Sequence, residues 1–127
     1  MIYVDTSVVL AHLLAEDRRP PDRLWDEVLV ASELVEYETW VRLHRARLAA
    51  SHGEAARATL GRVRLIALAP PVLERAREPF PVPVRTLDAL HLATVSFLSS
   101  MAPVRVATYD DRMAKAATAL DVPLFAL

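Results

Sequence analysis

The sequence contains no cysteine, which excludes disulfide bonds and thiolate metal sites. Lysine is almost absent too, since Lys115 is the only one and arginine carries nearly all of the positive charge. The formal net charge of -1 excludes a generally basic nucleic-acid coat and leaves only local contacts with nucleic acid. No apolar run approaches the roughly 20 residues of a membrane helix, and no basic segment opens the chain. We therefore expect a cytoplasmic protein that does not span a membrane.

The size and apolar content predict one closed core. The chain has 127 residues, and 54% of them are hydrophobic, which is enough for one domain but leaves no room for a second. We expect a single domain over residues 1–127.

Apolar runs of strand type alternate with segments of helical periodicity. The predicted strands cover residues 2–4, 28–31, 65–68, 104–107 and 122–125. The predicted helices cover residues 7–14, 33–50, 54–63 and 87–98, with a short turn at 22–26, a brief helix from Pro70 and a last helix opened by Asp110. Ser32 and Thr86 are the predicted N-caps of the second and the strongly apolar helix. This alternation predicts a three-layer α/β/α fold with a mainly parallel central sheet, whose strand order the sequence does not determine.

Two acids follow predicted strands, at the sheet edge where α/β proteins bind ligands. Asp5 follows the first strand, and Asp110 follows the strand over residues 104–107. Each candidate acid also has a structural interpretation: Asp5 and Asp110 as helix caps, Asp88 as a first-turn acid, and Glu38 as a surface partner of Arg42.

Convergence of these acids would require a cation. Two carboxylates 4 Å apart repel by about 4 kcal/mol at an effective dielectric constant near 20. With oxygen ligands and no cysteine, the expected ion is Mg²⁺ or Mn²⁺ rather than zinc. His91 lies one helical turn from Asp88, and we interpret it as a hydrogen-bonded core residue rather than a ligand.

Four segments resemble the motifs of the PIN-domain family, and they occur in the order of that family. They are residues 2–7, 32–38, 87–93 and 107–112. The third, Leu87-Asp88-Ala89-Leu90-His91-Leu92-Ala93, followed by Thr108-Tyr109-Asp110, is the most distinctive combination. The short chain resembles the VapC-type toxins of toxin–antitoxin systems.

This resemblance implies a metal-dependent endoribonuclease that hydrolyses RNA phosphodiester bonds. Its four-carboxylate site would hold one or two ions, Mg²⁺ or alternatively Mn²⁺, and would consist of Asp5, Glu38, Asp88 and Asp110. Motif spacing favours Glu38 over Glu36 and Asp110 over Asp111. Ser7 or Thr108 is a candidate for holding a water molecule near the ion.

The resemblance also implies three partners: an RNA substrate, a second copy of the chain in a homodimer, and a cognate antitoxin that covers the cleft with an apolar segment. Arginines near the cleft would bind RNA phosphates; the candidates are Arg42, Arg45, Arg47, Arg85 and Arg112. Trp40 and Leu43 form a second apolar strip on the long helix, away from the strip that contains Tyr37 and Val41. Either one strip serves an interface or both are buried.

Two other functions are compatible with parts of the pattern. A non-catalytic PIN-like module could bind RNA or a partner, although it would gain little from a repulsive group of acids. A receiver-like signalling domain would need a lysine near the last strand of the site, whereas Lys115 lies inside the last predicted helix.

Overall fold

In a computed structural model, which describes residues 1–15 and 17–127, four parallel strands form one sheet. The strands are β1 (Ile2–Val4), β2 (Leu29–Ser32), β3 (Val63–Ile66) and β4 (Arg105–Ala107). Their order in the sheet is β3-β2-β1-β4. The first strand of the chain is therefore an interior strand, hydrogen-bonded on both sides.

Helices connect the strands. They are α1 (Thr6–Leu14), α2 (Glu33–Arg45), α3 (Ala49–Leu60), α4 (Pro70–Ala76), α5 (Thr86–Ser99) and α6 (Asp111–Ala119), with a 3-10 helix at Asp22–Asp26. Among the described residues, no helix has both the length and the apolar content needed to cross a membrane.

Side chains of β1 alternate between two cores. Ile2 and Val4 pack in the core formed with α1, α2 and α3, whereas Tyr3 packs in the core formed with α5 and α6. All three side chains are fully buried. Successive side chains of a strand point to opposite faces, so helices cover both faces of the sheet. The predicted three-layer α/β/α fold with a parallel sheet is confirmed.

The predicted boundary between the second and third helices is wrong. α2 ends at Arg45 instead of residue 50, and α3 begins at Ala49 instead of residue 54. The chain turns at Arg47, whose φ of 57° lies in the left-handed region and cannot continue a helix. Gly53, predicted to separate the helices, lies inside α3 against the indole of Trp40.

Smaller differences concern element ends. β3 begins at Val63 rather than residue 65, and Arg85 rather than Thr86 is the N-cap of α5. The Ser32 cap is confirmed, because its hydroxyl accepts a hydrogen bond from the Leu34 amide. The last predicted strand is reduced to one bridge, in which Leu124 pairs with Val106 of β4.

The strand order reverses between β1 and β4. The chain proceeds from β1 to β2 and β3 on one side, and β4 then pairs with the other side of β1. In parallel sheets such a switch point opens a crevice at the carboxyl ends of the two strands. Asp5 and Asp110 follow these two strands.

Thr39 of α2 offers a test of the packing. Its side chain is fully buried, and its hydroxyl has no hydrogen-bond partner in the described part of the chain. Because a buried unpaired hydroxyl is destabilising, Thr39→Val should raise the free energy of unfolding by about 1 kcal/mol. Urea denaturation measures this change. The matched control is Thr94→Val, since Thr94 is equally buried but donates to the Leu90 carbonyl. This variant should lower the free energy of unfolding by about 1 kcal/mol. Changes in the free energy of unfolding with the same sign in both variants would contradict an unpaired hydroxyl at Thr39.

His12 predicts a pH dependence of stability. Burial lowers the pKa of His12, and the charges of Arg19 and Arg62 lower it further. The folded state then binds fewer protons than the unfolded state, so the stability from neutral His12 is present above about pH 6.5 and is lost as the pH falls. The urea midpoint should decrease more between pH 7.5 and pH 5.5 for the wild type than for His12→Gln. Parallel losses would refute this role for His12.

Candidate active site

Asp5 lies at the end of β1, and its side chain is fixed by two hydroxyls. It is buried, with 6% of its surface exposed. Its Oδ2 accepts hydrogen bonds from Ser7 Oγ at 2.7 Å and Thr108 Oγ1 at 2.8 Å. Asp5 occupies the N-cap position of α1, but its side chain makes no cap hydrogen bond. The interpretation of its carboxylate as a helix cap is therefore wrong. The Ser7 and Thr108 hydroxyls both donate to Asp5, and the role of either one in holding a water molecule stays a prediction.

Glu38 projects from α2 toward α5 and the start of α1. Its Oε1 accepts hydrogen bonds from Thr6 Oγ1 at 3.0 Å and from His91 Nε2 at 2.5 Å. The side chain is one-quarter exposed. Glu36, the alternative, is exposed on the surface of α2. Within residues 1–15 and 17–127, the ion-pair partner of Glu38 is His91 and not Arg42.

Asp88 lies in the first turn of α5 and is half-buried. Burial raises the pKa of Asp88, and the negative charges of Asp110 and Asp5 raise it further, against the opposing effects of His91 and Arg112. The carboxylates of Asp5, Asp88 and Asp110 therefore lie within electrostatic range of one another.

Asp110 is the N-cap of α6. Its Oδ1 accepts hydrogen bonds from the amides of Arg112 at 2.8 Å and Met113 at 3.4 Å. The structural interpretation of Asp110 as a helix cap is confirmed. Both cap bonds use the same oxygen, so the cap does not occupy Oδ2. The competing Asp111 is exposed in the first turn of α6.

His91 is a core residue, as predicted, but it also belongs to the site. Only 2% of its surface is exposed, and it lies between Tyr3 and Glu38. Burial lowers the pKa of His91, but the hydrogen bond to Glu38 and the nearby charges of Asp5 and Asp88 outweigh it, so the pKa lies above its ordinary value. Helical spacing alone could not reveal its contact with an acid on another helix.

Asp5 and Asp110 border an open cleft of about 400 Å³, which Glu38 and Asp88 do not line. The polar lining residues are Asp5, Thr6, Ser7, Arg18, Arg42 and Asp110. Arg85, Arg112 and Asp88 line a separate cavity of about 260 Å³. Three of the five arginines proposed for RNA contacts thus lie beside candidate acids, whereas Arg45 and Arg47 line neither cavity.

Arg18 lines the cleft but was not among the arginines predicted to contact RNA. Its guanidinium donates to the Tyr109 carbonyl at 3.1 Å and lies over the Tyr109 ring, 5.2 Å from the ring centroid. These contacts hold a positive charge at the cleft. A loop arginine carries no periodic signal, so only the structure could identify it.

An exposed apolar strip lies on α2 next to Glu38. Tyr37 and Val41, one helical turn apart, are 63% and 45% exposed. The other strip of this helix is internal: Leu43 is fully buried, and Trp40 packs against the core. The strip of Tyr37 and Val41 is therefore the one available to a partner.

Asp5 and Asp110 follow the neighbouring strands β1 and β4 at one end of the sheet, but the four acids do not form a set of direct metal ligands. In the described ranges, no three histidine, aspartate or glutamate side chains are grouped closely enough to hold an ion directly. The described contacts link Asp5 to Thr108 of the Asp110 loop, and Glu38 to His91 of the Asp88 helix.

A toxin–antitoxin complex from Klebsiella pneumoniae contains a chain similar in structure to this one. The TM-score is 0.66 at 18% sequence identity, and the alignment covers 92% of this chain and 90% of the other. This likeness shows a shared fold. No curated protein sequence matches the chain.

The sequence profile of the PIN domain matches residues 2–119, which include all four acids and every strand of the sheet. The match excludes the receiver-like interpretation, and Lys115 lies exposed on α6. The chain belongs to the PIN-domain family.

Proposed function

We propose that this protein is a Mg²⁺-dependent endoribonuclease, active also with Mn²⁺, and that it is the cytoplasmic toxin of a toxin–antitoxin pair. Proteins of the PIN-domain family are generally nucleases. The observation that carries the proposal is the position of Asp5 and Asp110 after β1 and β4 at the strand switch point, with Asp88 near enough for both charges to add to the effect of burial on its pKa. A fold that gathers acids at a strand switch point carries a repulsion that a bound cation would relieve.

The residues fit a hard cation. The donors around the cleft are carboxylate and hydroxyl oxygens, which Mg²⁺ and Mn²⁺ prefer. Mg²⁺ usually keeps several waters and binds directly through one or two carboxylates, so the four acids need not all touch it. Asp5, Glu38, Asp88 and Asp110 would hold the ion, directly or through water. Such an ion activates water and offsets charge on a scissile phosphate.

The surrounding residues orient the acids and the substrate. Ser7 and Thr108 fix Asp5 by donating to its Oδ2, and no side-chain hydrogen bond within residues 1–15 and 17–127 uses its Oδ1. Arg18 and Arg42 lie in the same cleft, where they would bind RNA phosphates on either side of the cleaved bond.

The proposed protein partners rest on exposed apolar surface. The strip of Tyr37 and Val41 borders Glu38, where an antitoxin segment would cover the cleft. A homodimer interface is the proposed role of the surface between α4 and α5, where Leu73 lines a groove of about 660 Å³ and Leu87 is 44% exposed.

A non-catalytic PIN-like module is the second candidate, and the observation that favours it is the lack of a direct ligand cluster in the described chain. The cleavage experiment below separates the two. Folded wild-type protein that binds structured RNAs and cuts none of them with Mg²⁺ or Mn²⁺ would establish the module.

The cleavage experiment incubates labelled structured RNAs with purified protein, with Mg²⁺ or with excess chelator. Cleavage should require the ion. Asp5→Asn and Asp110→Asn should each reduce kcat/KM by at least about 100-fold, on the order of 3 kcal/mol, because each loses a charged ligand. Asparagine is a good N-cap, so Asp110→Asn should keep the start of α6.

Exposed neighbouring acids provide matched controls for this experiment. Asp111→Asn and Glu36→Gln remove the same charge from nearby surface positions, and both should retain activity within about threefold. Cleavage that persists in chelator or in Asp5→Asn would overturn the metal site. Activity lost in Glu36→Gln and kept in Glu38→Gln would reverse the choice between these acids.

Antitoxin binding is tested by co-expression with the protein encoded next to this gene. The two proteins should co-purify, and the partner should inhibit cleavage. The measured mass of the complex should correspond to an assembly with two copies of this chain. Tyr37→Ala should weaken binding at least about tenfold, because truncated interface tyrosines often remove much of the affinity. Met101→Ala is the control, since Met101 is also 63% exposed but lies after α5. Equal affinities of Tyr37→Ala and Met101→Ala for the partner would exclude the strip of Tyr37 and Val41 as the antitoxin-binding surface.

A further inference from the structure

A chain of hydrogen bonds crosses the protein beneath the site. The Ser32 amide donates to Tyr3 Oη at 3.3 Å, Tyr3 Oη bonds His91 Nδ1 at 2.7 Å, and His91 Nε2 bonds Glu38 Oε1 at 2.5 Å. The chain joins β2, β1, α5 and α2. It begins at a buried backbone amide and ends at one of the candidate acids.

The donor to Glu38 is the same in both protonation states of His91. Tyr3 Oη accepts the Ser32 amide and keeps its own proton. Neutral His91 accepts that proton's hydrogen bond at Nδ1, whereas protonated His91 donates from Nδ1 to Tyr3 Oη. In either state His91 Nε2 donates to the Glu38 carboxylate.

We propose that His91 is a positioning residue, which holds Glu38 Oε1 in place so that Oε2 is available to the ion. This inference rests on the proposed function. Two donors, His91 Nε2 and Thr6 Oγ1, share Oε1, and no hydrogen bond in the described chain uses Oε2. A long flexible acid is thereby restricted before an ion binds.

Stability alone does not account for this arrangement. Tyr3 is fully buried and His91 nearly so, on a face of the sheet whose core contains apolar residues such as Leu92 and Val95. Buried polar groups need complete hydrogen bonding to avoid a penalty, and apolar residues of similar size usually stabilise a core as well. Orienting a ligating carboxylate is a benefit that an apolar pair could not provide.

The test measures the affinity for Mn²⁺ alone, from the free-ion signal in electron paramagnetic resonance, and requires no RNA. His91→Leu should weaken Mn²⁺ binding by about 10- to 100-fold, the usual effect of losing a group that orients a ligand. His91→Gln should stay within about threefold of wild type, because its amide can donate in place of Nε2. In the background of Glu38→Gln, His91→Leu should have no further effect, since the two changes act on one contact.

Thr94→Val is the matched control for lost stability. Thr94 is buried on the same helix, one turn from His91, and its hydroxyl bonds the Leu90 carbonyl. This variant should bind Mn²⁺ like wild type. If His91→Leu does not fold by circular dichroism, Tyr3→Phe replaces it, because it removes only the hydroxyl that orients His91; a loss in the same direction is expected.

The outcomes separate this inference from the proposed function. Wild-type protein that binds no Mn²⁺ would overturn both. Binding that Asp5→Asn abolishes and that folded His91→Leu leaves unchanged would overturn the role of His91 alone. The same conclusion follows if His91→Leu weakens Mn²⁺ binding equally in the wild-type and the Glu38→Gln backgrounds. Where Tyr3→Phe replaces His91→Leu, wild-type Mn²⁺ affinity of that variant would also overturn the role of His91.

Discussion

The burial of β1 between β2 and β4 is the constraint on which the rest of the structure depends. Its register places Tyr3 beside both Val30 and Val106, and Val4 beside Ala107. A slip of one residue would exchange the two faces of the strand and move every side chain into the opposite core. The register therefore fixes the next residue as well: the Asp5 amide bonds the Ala107 carbonyl, and its carboxylate meets Thr108. The position of the first acid follows from apolar packing.

The sequence predicted the features that depend on local pattern. Apolar runs identified four strands, and the positions of Asp5 and Asp110 after two of them indicated the correct end of the sheet. Glu36 and Glu38 also have a local distinction, because two residues are separated by about 200° around a helix and point in different directions. The sequence could not show which direction faces the cleft. That depends on how α2 packs against α1 and α3.

Features that join distant segments were not predictable in this way. Tyr3 and His91 are 88 positions apart, and nothing in the periodicity of either segment links them. The end of α2 was also missed: residues 46–50 have helical composition, but the chain turns at Arg47, and Gly53 of α3 then lies against Trp40 of α2. Local propensity is a weak indicator wherever packing opposes it.

Three of the four acids lie at helix N-termini. The helix dipoles there stabilise the negative charges, but only enough to offset part of the repulsion between close carboxylates. Asp5 and Asp110 occupy N-cap positions, and Asp88 lies in a first turn. A helix N-terminus stabilises a negative charge by about 0.3–1 kcal/mol. A carboxylate pair at 4 Å repels by about 4 kcal/mol even at an effective dielectric constant of 20, so helix dipoles cannot offset close approach. The donors that hold the acids add hydrogen bonds, but Ser7, Thr108 and the α6 amides carry no charge. The negative potential of the site consequently persists in the folded protein, and after burial it is the next cause that raises the pKa of Asp88.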